Sequence, residues 1–312
     1  MILITGGAGF IGTNFVNFIK EKSDCKDSVL VVDSLSYASN FEALKSSGVG
    51  YEIVDISKFE SLKEVFKKHR ISSVINFAAE SHVDNSINDC LPFVESNIIG
   101  TINLLKLSVE HDIEKFIQIS TDEVFGTVTD ESFSESSQIN PRNPYSASKA
   151  SAEHFVNAFS NTYKIPTIII NSSNNYGPFQ YPEKLIPLTI KNLLNGKTVP
   201  VYGDGQQVRD WIYVQDACEI IYEIFKNGKF GERYCIGGDN QVKNLDLVKM
   251  IINKLNLDEN RIEFVKDRPG HDTRYHTDIS KVKSEFNWHP KWNVDSGLDA
   301  TIEWVKKYEN RI

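Results

Sequence analysis

Apolar positions follow two rhythms along the first half of the chain. Short runs rich in Ile, Val and Phe, at 2–5, 28–32, 51–54, 73–77, 115–120 and 167–170, have the length and β-branched content of buried strands. Between them lie stretches with helical spacing of apolar residues, at 10–20, 62–69 and 94–111. This alternation predicts an α/β fold: a doubly wound, parallel Rossmann sheet with helices on both faces. Right-handed crossovers then bring the strand C-termini to one edge, where ligands bind in such folds.

The second half has a different texture. Turn-rich segments at 174–182, 203–207, 237–240 and 267–272 interrupt shorter helical stretches at 216–225 and 245–255. The expected organisation is a nucleotide-binding domain over residues 1–172, with some later segments interleaved, and a smaller substrate lobe made mainly from 173–312. No linker composition separates the two.

Composition narrows the possible partners. The 40% apolar and 24% charged residues are those of an ordinary globular chain, and the formal charge of −8 argues against nucleic acid as a partner. An anionic ligand therefore needs a few locally placed basic residues. The four cysteines (Cys25, Cys90, Cys218 and Cys235) are far apart with no CxxC pair, so neither a zinc site nor a disulfide framework is expected. Neither His82 nor His271 has the companions of a metal ligand, and no metal is expected. No leader or membrane-spanning run is read, and the expected location is the cytoplasm.

The first strand runs directly into Gly6-Gly7-Ala8-Gly9-Phe10-Ile11-Gly12, which opens the first helix. Glycines at 6, 9 and 12 allow a tight turn, close approach of backbone to a pyrophosphate, and close helix–strand packing. The free N–H groups of the helix start attract phosphate. Asp33 ends the second strand 21 residues after Gly12, where a carboxylate can accept from ribose hydroxyls. It would repel a 2′-phosphate, and Ser34 beside it is not basic, so NAD is expected rather than NADP. Asp55, after the third strand, is a candidate contact on the adenine side.

Tyr145 and Lys149 are four residues apart, on one face of a helix that starts at Pro144. An ammonium one turn away is expected to lower the phenol's pKa and make it a base for a sugar hydroxyl. Thr121, Asp122 and Glu123 follow the fifth strand. Thr121 can bond the oxygen that Tyr145 serves, and the two carboxyls suit protonation of a leaving hydroxyl and removal of a carbon-bound proton. An isolated Asp-Glu pair is more often an exposed turn; directly after a buried strand, and with Tyr145 and Lys149, the chemical reading is preferred.

The glycine loop and the Tyr145/Lys149 spacing together resemble the extended short-chain dehydrogenase/reductase family, the NAD-dependent epimerases and dehydratases. The triplet Thr121-Asp122-Glu123 narrows the resemblance to the dTDP-glucose 4,6-dehydratases, since epimerases and UDP-glucuronate decarboxylases of this fold usually lack the acidic pair here. Four further stretches match: AAESHVDNSI (78–87), SNNYGPFQYPEKLIP (173–187), VYGDGQQVRDWIYV (201–214) and DRPGHDTRY (267–275). The resemblance thus runs almost from end to end. Phe125 departs from it, standing where the family commonly has Tyr, and Ser34 and Ser36 replace the more usual Lys and Thr.

The resemblance implies that Phe10, Ile11, Ser34, Leu35, Ser36, Ile56, Ala78, Ala79, Ser81, Ser96 and Asn175 complete the NAD site. It implies Asn174, Lys184, Leu185 and Arg209 at the sugar diphosphate, Ser81 and Thr121 at the sugar, and Asn244, His271, Arg274 and Tyr275 on the nucleotide side. The implied reaction converts dTDP-glucose to its 4-keto-6-deoxy product. Tyr145 takes the C4 hydroxyl proton as C4 is oxidised, Glu123 takes the C5 proton, Asp122 protonates the departing C6 hydroxyl, and hydride returns to C6. A UDP-sugar 4,6-dehydratase, and then an epimerase or decarboxylase, are the alternatives. A homodimer feeding deoxysugars such as rhamnose into surface polysaccharide is the expectation from the same likeness.

Overall fold

The computed structural model describes residues 1–22, 29–128 and 131–308. A seven-stranded sheet lies at its centre, in the order β10-β6-β5-β4-β1-β2-β3. These strands are β1 (Ile2–Thr5), β2 (Val29–Asp33), β3 (Gly50–Ile53), β4 (Ser73–Asn76), β5 (Lys115–Thr121), β6 (Thr167–Ser172) and β10 (Arg233–Ile236). All are parallel. Ser28, expected to begin β2, lies outside the described residues. Side chains on both faces of the inner strands are buried, which is why their sequences read as continuous apolar runs.

Two apolar cores flank the sheet. One packs Phe15, Val16 and Ile19 of the helix Phe10–Glu21 with Ile220, Ile221 and Ile224 of the helix Val214–Asn227. The other packs Leu62, Val65 and Phe66 with Leu104, Leu105 and Leu107. The second half of the chain therefore contributes both a strand (β10) and a covering helix to the central sheet. Its remaining elements form a third core around Tyr176, Trp211, Leu247, Ile251 and Leu298. Two small sheets accompany that core. The first joins β7 (Asn174–Tyr176), β9 (Val208–Tyr213) and β11 (Gln241–Lys243), and the second joins β8 (Val199–Tyr202) and β12 (Ile262–Val265). Within 174–182, read from the sequence as all turn, the short strand β7 forms because it pairs in parallel with Trp211–Tyr213 of β9.

The chain order reverses between β1 and β4, and the crevice of a doubly wound sheet opens at such a point. A buried polar chain ties the strands there: the Thr5 hydroxyl donates to Asn76 Oδ1 at 2.6 Å, and Asn76 Nδ2 donates to Gln118 Oε1 at 2.9 Å. The helix expected over 94–111 is a longer one over 91–110 that carries a π-helical turn at Val94–Ile99. π turns gather at functional sites, and this one holds Ser96 and the buried Asn97. Asn97 anchors itself on the Glu80 backbone and donates to Ser148 Oγ at 2.8 Å.

Close packing of the glycine loop sets a sharp limit at Gly12. A Cβ there would stand 2.1 Å from the Gly6 carbonyl oxygen and 2.8 Å from Gly7 Cα, both backbone atoms that cannot swing aside. Gly12→Ala should therefore reverse the usual benefit of Ala in a helix, costing about 1–3 kcal/mol through overpacking. Thermal melting with and without dinucleotide should show a lower midpoint and no stabilisation by the ligand. A midpoint at or above that of the parent would contradict the packing described.

Candidate active site

Two clefts meet at the C-terminal edge of the sheet. The first, about 240 Å³, is walled by Gly6, Gly9, Phe10, Ile11, Gly12, Asp33, Ser34, Ser36, Asp55, Ile56, Ala78, Ala79, Ser81, Ser96, Tyr145 and Lys149, among others. The second, about 550 Å³, takes in Ser81, Thr121, Asp122, Glu123, Asn174, Asn175, Lys184, Leu185, Arg209, Asn244, His271 and Tyr275. Tyr145, Ser81 and Lys184 line both, so the phenol stands at the junction.

The first cleft is built for a dinucleotide. Gly9 caps the helix Phe10–Glu21 with no side chain, and the first turn carries no acidic residue, which leaves N–H groups for an anion. Asp33 accepts from Ala8 N–H through one oxygen and from Leu35 N–H through the other, each at 2.8 Å. These bonds fix the carboxylate between the loop and the strand end, and its remaining lone pairs can accept ribose hydroxyls. The glycine cradle, the bare helix start and the fixed carboxylate all fit NAD.

The reacting groups come from two elements. Thr121 ends β5, and its Oγ1 accepts from Glu123 N–H at 3.3 Å, capping the short turn Asp122–Phe125. The helix Pro144–Tyr163 starts with Asn143 as its cap: Asn143 Oδ1 accepts from Ser146 N–H at 2.8 Å, and Asn143 N–H donates back to Ser146 Oγ at 3.2 Å. Pro144 takes the first helical position, where its missing N–H costs nothing. This start sets Tyr145 beside Thr121, whose hydroxyl favours the ionised phenol.

Electrostatics divide the acidic pair. Asp122 is buried, with Oδ1 near Thr121 Oγ1 (3.3 Å) and Oδ2 near Thr277 Oγ1 (3.4 Å). Burial, then Glu123 and Asp210, push its carboxyl well above the ordinary range, and Arg209 only partly offsets them. Glu123 is also raised by burial, but Arg209, a hydrogen bond from Asn143 and Lys184 all pull it back. Both carboxyls are thus raised, but Asp122 is pushed further and has less to offset it, so of the two it holds its proton more firmly.

Among the described residues, Arg209 has no carboxylate partner. Its guanidinium donates to the carbonyls of Val208 (2.8 Å) and Asp272 (2.9 Å) and lies 4.3 Å from the Tyr275 ring centroid. Its charge is thus oriented and left for an anion. Lys184 Nζ donates to the Ser81 carbonyl at 2.6 Å. Among the described residues, the buried side-chain oxygens of Asn174, Asn175 and Asn244 have no hydrogen-bond partner, and all three residues line the second cleft, as expected where a polar ligand completes the hydrogen bonding.

Four expectations need correction. Lys149 does not lower the Tyr145 phenol: its Nζ donates to the Ile119 carbonyl at 2.7 Å. Burial, followed by Glu123 and Asp122, pushes the phenol up, and the neighbouring Thr121 hydroxyl only partly offsets them. The ammonium itself is brought down to about 8 by burial, opposed by Glu153 one turn further along the helix. Arg274 stays outside both clefts, its guanidinium held by Gln241 Oε1 at 2.7 Å and the Glu131 carbonyl at 3.2 Å. Leu35 turns its side chain to the core, and Asn175 lines the second cleft rather than the first, with Nδ2 on Ser172 Oγ at 2.7 Å.

Sequence reasoning passed over several wall residues. Arg268, in the same quoted stretch as Arg274, lines the second cleft and pairs with Asp84 at 3.0 Å. Asn143, the residue before Pro144, was passed over both as the helix cap and as a neighbour of Glu123. Gln180 and Glu80 carried no local signal. Among the described residues, no group of three or more His, Cys, Asp or Glu side chains is placed to hold a metal ion. His271 Nδ1 instead meets Asp267 Oδ1 at 2.6 Å.

Comparison with known proteins agrees with this geometry. Residues 3–301 match the family described as GDP-mannose 4,6 dehydratase. The dTDP-glucose 4,6-dehydratase of Neisseria meningitidis serogroup B is 44% identical, over 97% of this chain and 92% of that protein. The fold is similar to that of the Bacillus anthracis dTDP-glucose 4,6-dehydratase in complex with NAD (TM-score 0.92, 41% identity, covering 99% and 97% of the two chains). It is also similar to the Streptomyces venezuelae dTDP-glucose 4,6-dehydratase with NAD and TYD bound (TM-score 0.95, 38% identity, 99% and 98%).

A buried acid held protonated should weaken the fold at neutral pH. Asp122 has a folded-state pKa above its unfolded value, so its contribution to stability is present below the unfolded pKa and is lost as pH rises towards the folded one. Asp122→Asn removes that loss. Its melting midpoint should exceed the parent's at about pH 8, with a gap that narrows towards about pH 5. A gap of the same size at both, or a variant melting lower at both, would show that the carboxyl is accommodated ionised.

Proposed function

This chain belongs to the family of GDP-mannose 4,6 dehydratase, and from that membership we propose that it is a nucleotide-sugar 4,6-dehydratase whose substrate is dTDP-glucose and whose cofactor is NAD. The observation that carries the reading is the adjacent Asp122 and Glu123 carboxyls, the first buried and the second half-buried, beside Tyr145 in the second cleft, with Asp122 pushed up further than Glu123. An epimerase moves hydride and needs no such pair.

NAD, when bound, would supply the hydride acceptor for C4 and the donor for C6, and the positive charge of its oxidised ring would favour ionisation of the Tyr145 phenol. The glycine loop and the helix start hold its pyrophosphate, and Asp33 its adenosine ribose. Thr121 and Tyr145 meet the C4 hydroxyl, and the phenol oxygen takes its proton. Lys149, fixed on the Ile119 carbonyl, reaches the first cleft and favours negative charge there. The C4 ketone acidifies C5–H, Glu123 removes that proton, and Asp122 delivers its own to the C6 hydroxyl, which leaves as water. As hydride reaches C6, Glu123 returns a proton to C5, and the proton held by Tyr145 passes through solvent to restore Asp122. Arg209, Lys184 and Arg268 hold the diphosphate. Asn174, Asn244, His271 and Tyr275 complete the wall on the nucleotide side.

We assign residues 1–172, with the returning segments, mainly to NAD and 173–312 mainly to the sugar nucleotide. No helix among the described residues is long and apolar enough to cross a membrane. We place the enzyme in the cytoplasm, where Cys90, Cys218 and Cys235, all free, remain reduced. A second copy should cover the exposed Leu91 and Val94 on one helix and Phe155 and Tyr163 on its neighbour, giving a homodimer. The product suits rhamnose-type deoxysugar and surface polysaccharide synthesis. A 43% identical relative, the low-salt glycan biosynthesis protein Agl12 of Haloferax volcanii, supports that direction.

Incubation with dTDP-glucose or UDP-glucose in deuterated water, read by product mass, tests the assignment. The dTDP sugar should lose one water and gain deuterium at C5. Asp122→Asn should keep C5 exchange while water loss slows ~10²–10⁴-fold, and Glu123→Gln should suppress both. Inversion at C4 without loss of water would move an epimerase to the front, and preference for UDP-glucose would correct the nucleotide. Light scattering at twice the chain mass checks the dimer.

A further inference from the structure

The start of the helix Pro144–Tyr163 carries more than Tyr145. Asn143 is buried and uses both ends of its amide. Oδ1 is committed to Ser146 N–H at 2.8 Å, so the amide cannot flip, and Nδ2 is left pointing at Glu123 Oε2, 3.3 Å away. We propose that Asn143 is a positioning residue: the helix cap that seats Tyr145 also aims the Glu123 carboxylate at the C5 proton. This rests on the function proposed above, since it refines how the base is held.

Geometry favours this over a purely structural cap. Ser, Asp and Asn cap helices about equally well, but of the three only Asn also offers an N–H donor to a second group. The carboxylate it meets sits on a turn of four residues, Asp122–Phe125, bounded by Gly126 with φ 84°. Thr121 caps that turn through the Glu123 backbone and leaves the Glu123 side chain free. Asn143 is the only side chain with a hydrogen bond to that carboxylate in the described structure. Around it stand Asp122 on its own turn, Tyr145 on the helix, Arg209 on β9, Lys184 before the helix Leu185–Leu194, and Asp272 and Tyr275 from the C-terminal segment. Those groups set the local field, whereas Asn143 sets direction. An N–H donated to the ionised form also favours a base that is ready to accept a proton.

Two substitutions separate aiming from capping. Asn143→Ser keeps a cap but cannot reach Glu123. Asn143→Asp keeps a cap, removes the donor and adds a like charge. With full-length enzyme, C5 deuterium exchange on dTDP-glucose is followed against pH, together with melting temperature and NAD affinity. Both variants should melt near the parent and bind NAD normally, with C5 exchange slowed on the order of 10–100-fold. The acid limb of the pH profile should move to higher pH, further for Asp than for Ser. Exchange at the parent rate with an unmoved profile would overturn the positioning role and leave the dehydratase reading intact. Loss of exchange only in step with loss of folding or of NAD would make Asn143 structural and overturn the proposal. A parent enzyme that neither exchanges C5 nor loses water would overturn the function and this inference together.

Discussion

Burying two adjacent carboxyls is the constraint around which the active site is built. Water would ionise both, but a protein interior penalises each charge and their mutual repulsion. Asp122 takes the larger share of that penalty, with burial, Glu123 and Asp210 acting in one direction. Glu123 is relieved by Arg209, Asn143 and Lys184. Two residues adjacent in sequence are thus pushed apart in acidity. The conflict would be hard to sustain on a flexible loop. Here it sits on a capped turn directly after a fully buried strand, where the central sheet supplies the rigidity.

The rest of the molecule serves that pair. The parallel sheet brings the ends of β1, β2, β4 and β5 to one edge, so a dinucleotide laid across the glycine loop reaches Tyr145 at the junction of the clefts. The second half of the chain adds the cations that an acidic protein otherwise lacks there. Arg209 is oriented by backbone carbonyls and an aromatic face rather than by an acid, so it can steady both Glu123 and an incoming diphosphate. A chain that returns through the sheet as β10 and its covering helix Val214–Asn227 holds the two walls in fixed relation.

What was legible in the sequence was what chemistry makes local. The glycine loop, Asp33 at a strand end, Thr121-Asp122-Glu123 after a strand, and Tyr145 with Lys149 on one helical face are all encoded within short windows. Contacts settled by tertiary pairing were not legible. Arg268 and Arg274 occupy the same extended stretch, and only the bridge between Val208 and Arg274 determines which one faces the cleft. Spacing placed Lys149 near Tyr145 but could not show that a backbone carbonyl of β5 would capture its ammonium. Asn143 was passed over, and its bond to Glu123 depends on how the helix start packs against the turn after β5. The π turn at Val94–Ile99 leaves no mark in apolar periodicity, because one wider turn shifts the pattern by less than a residue's tolerance.

Asp122 should keep its proton under conditions where Glu123 has lost its own. Infrared difference spectroscopy at neutral pH tests this, comparing the parent with Asp122→Asn and with Glu123→Gln, each holding NAD. A protonated-carboxyl stretch should appear in the parent, disappear in Asp122→Asn and persist in Glu123→Gln. A stretch that persists in Asp122→Asn and vanishes in Glu123→Gln, or none in the parent, would show that Asp122 is not the protonated partner.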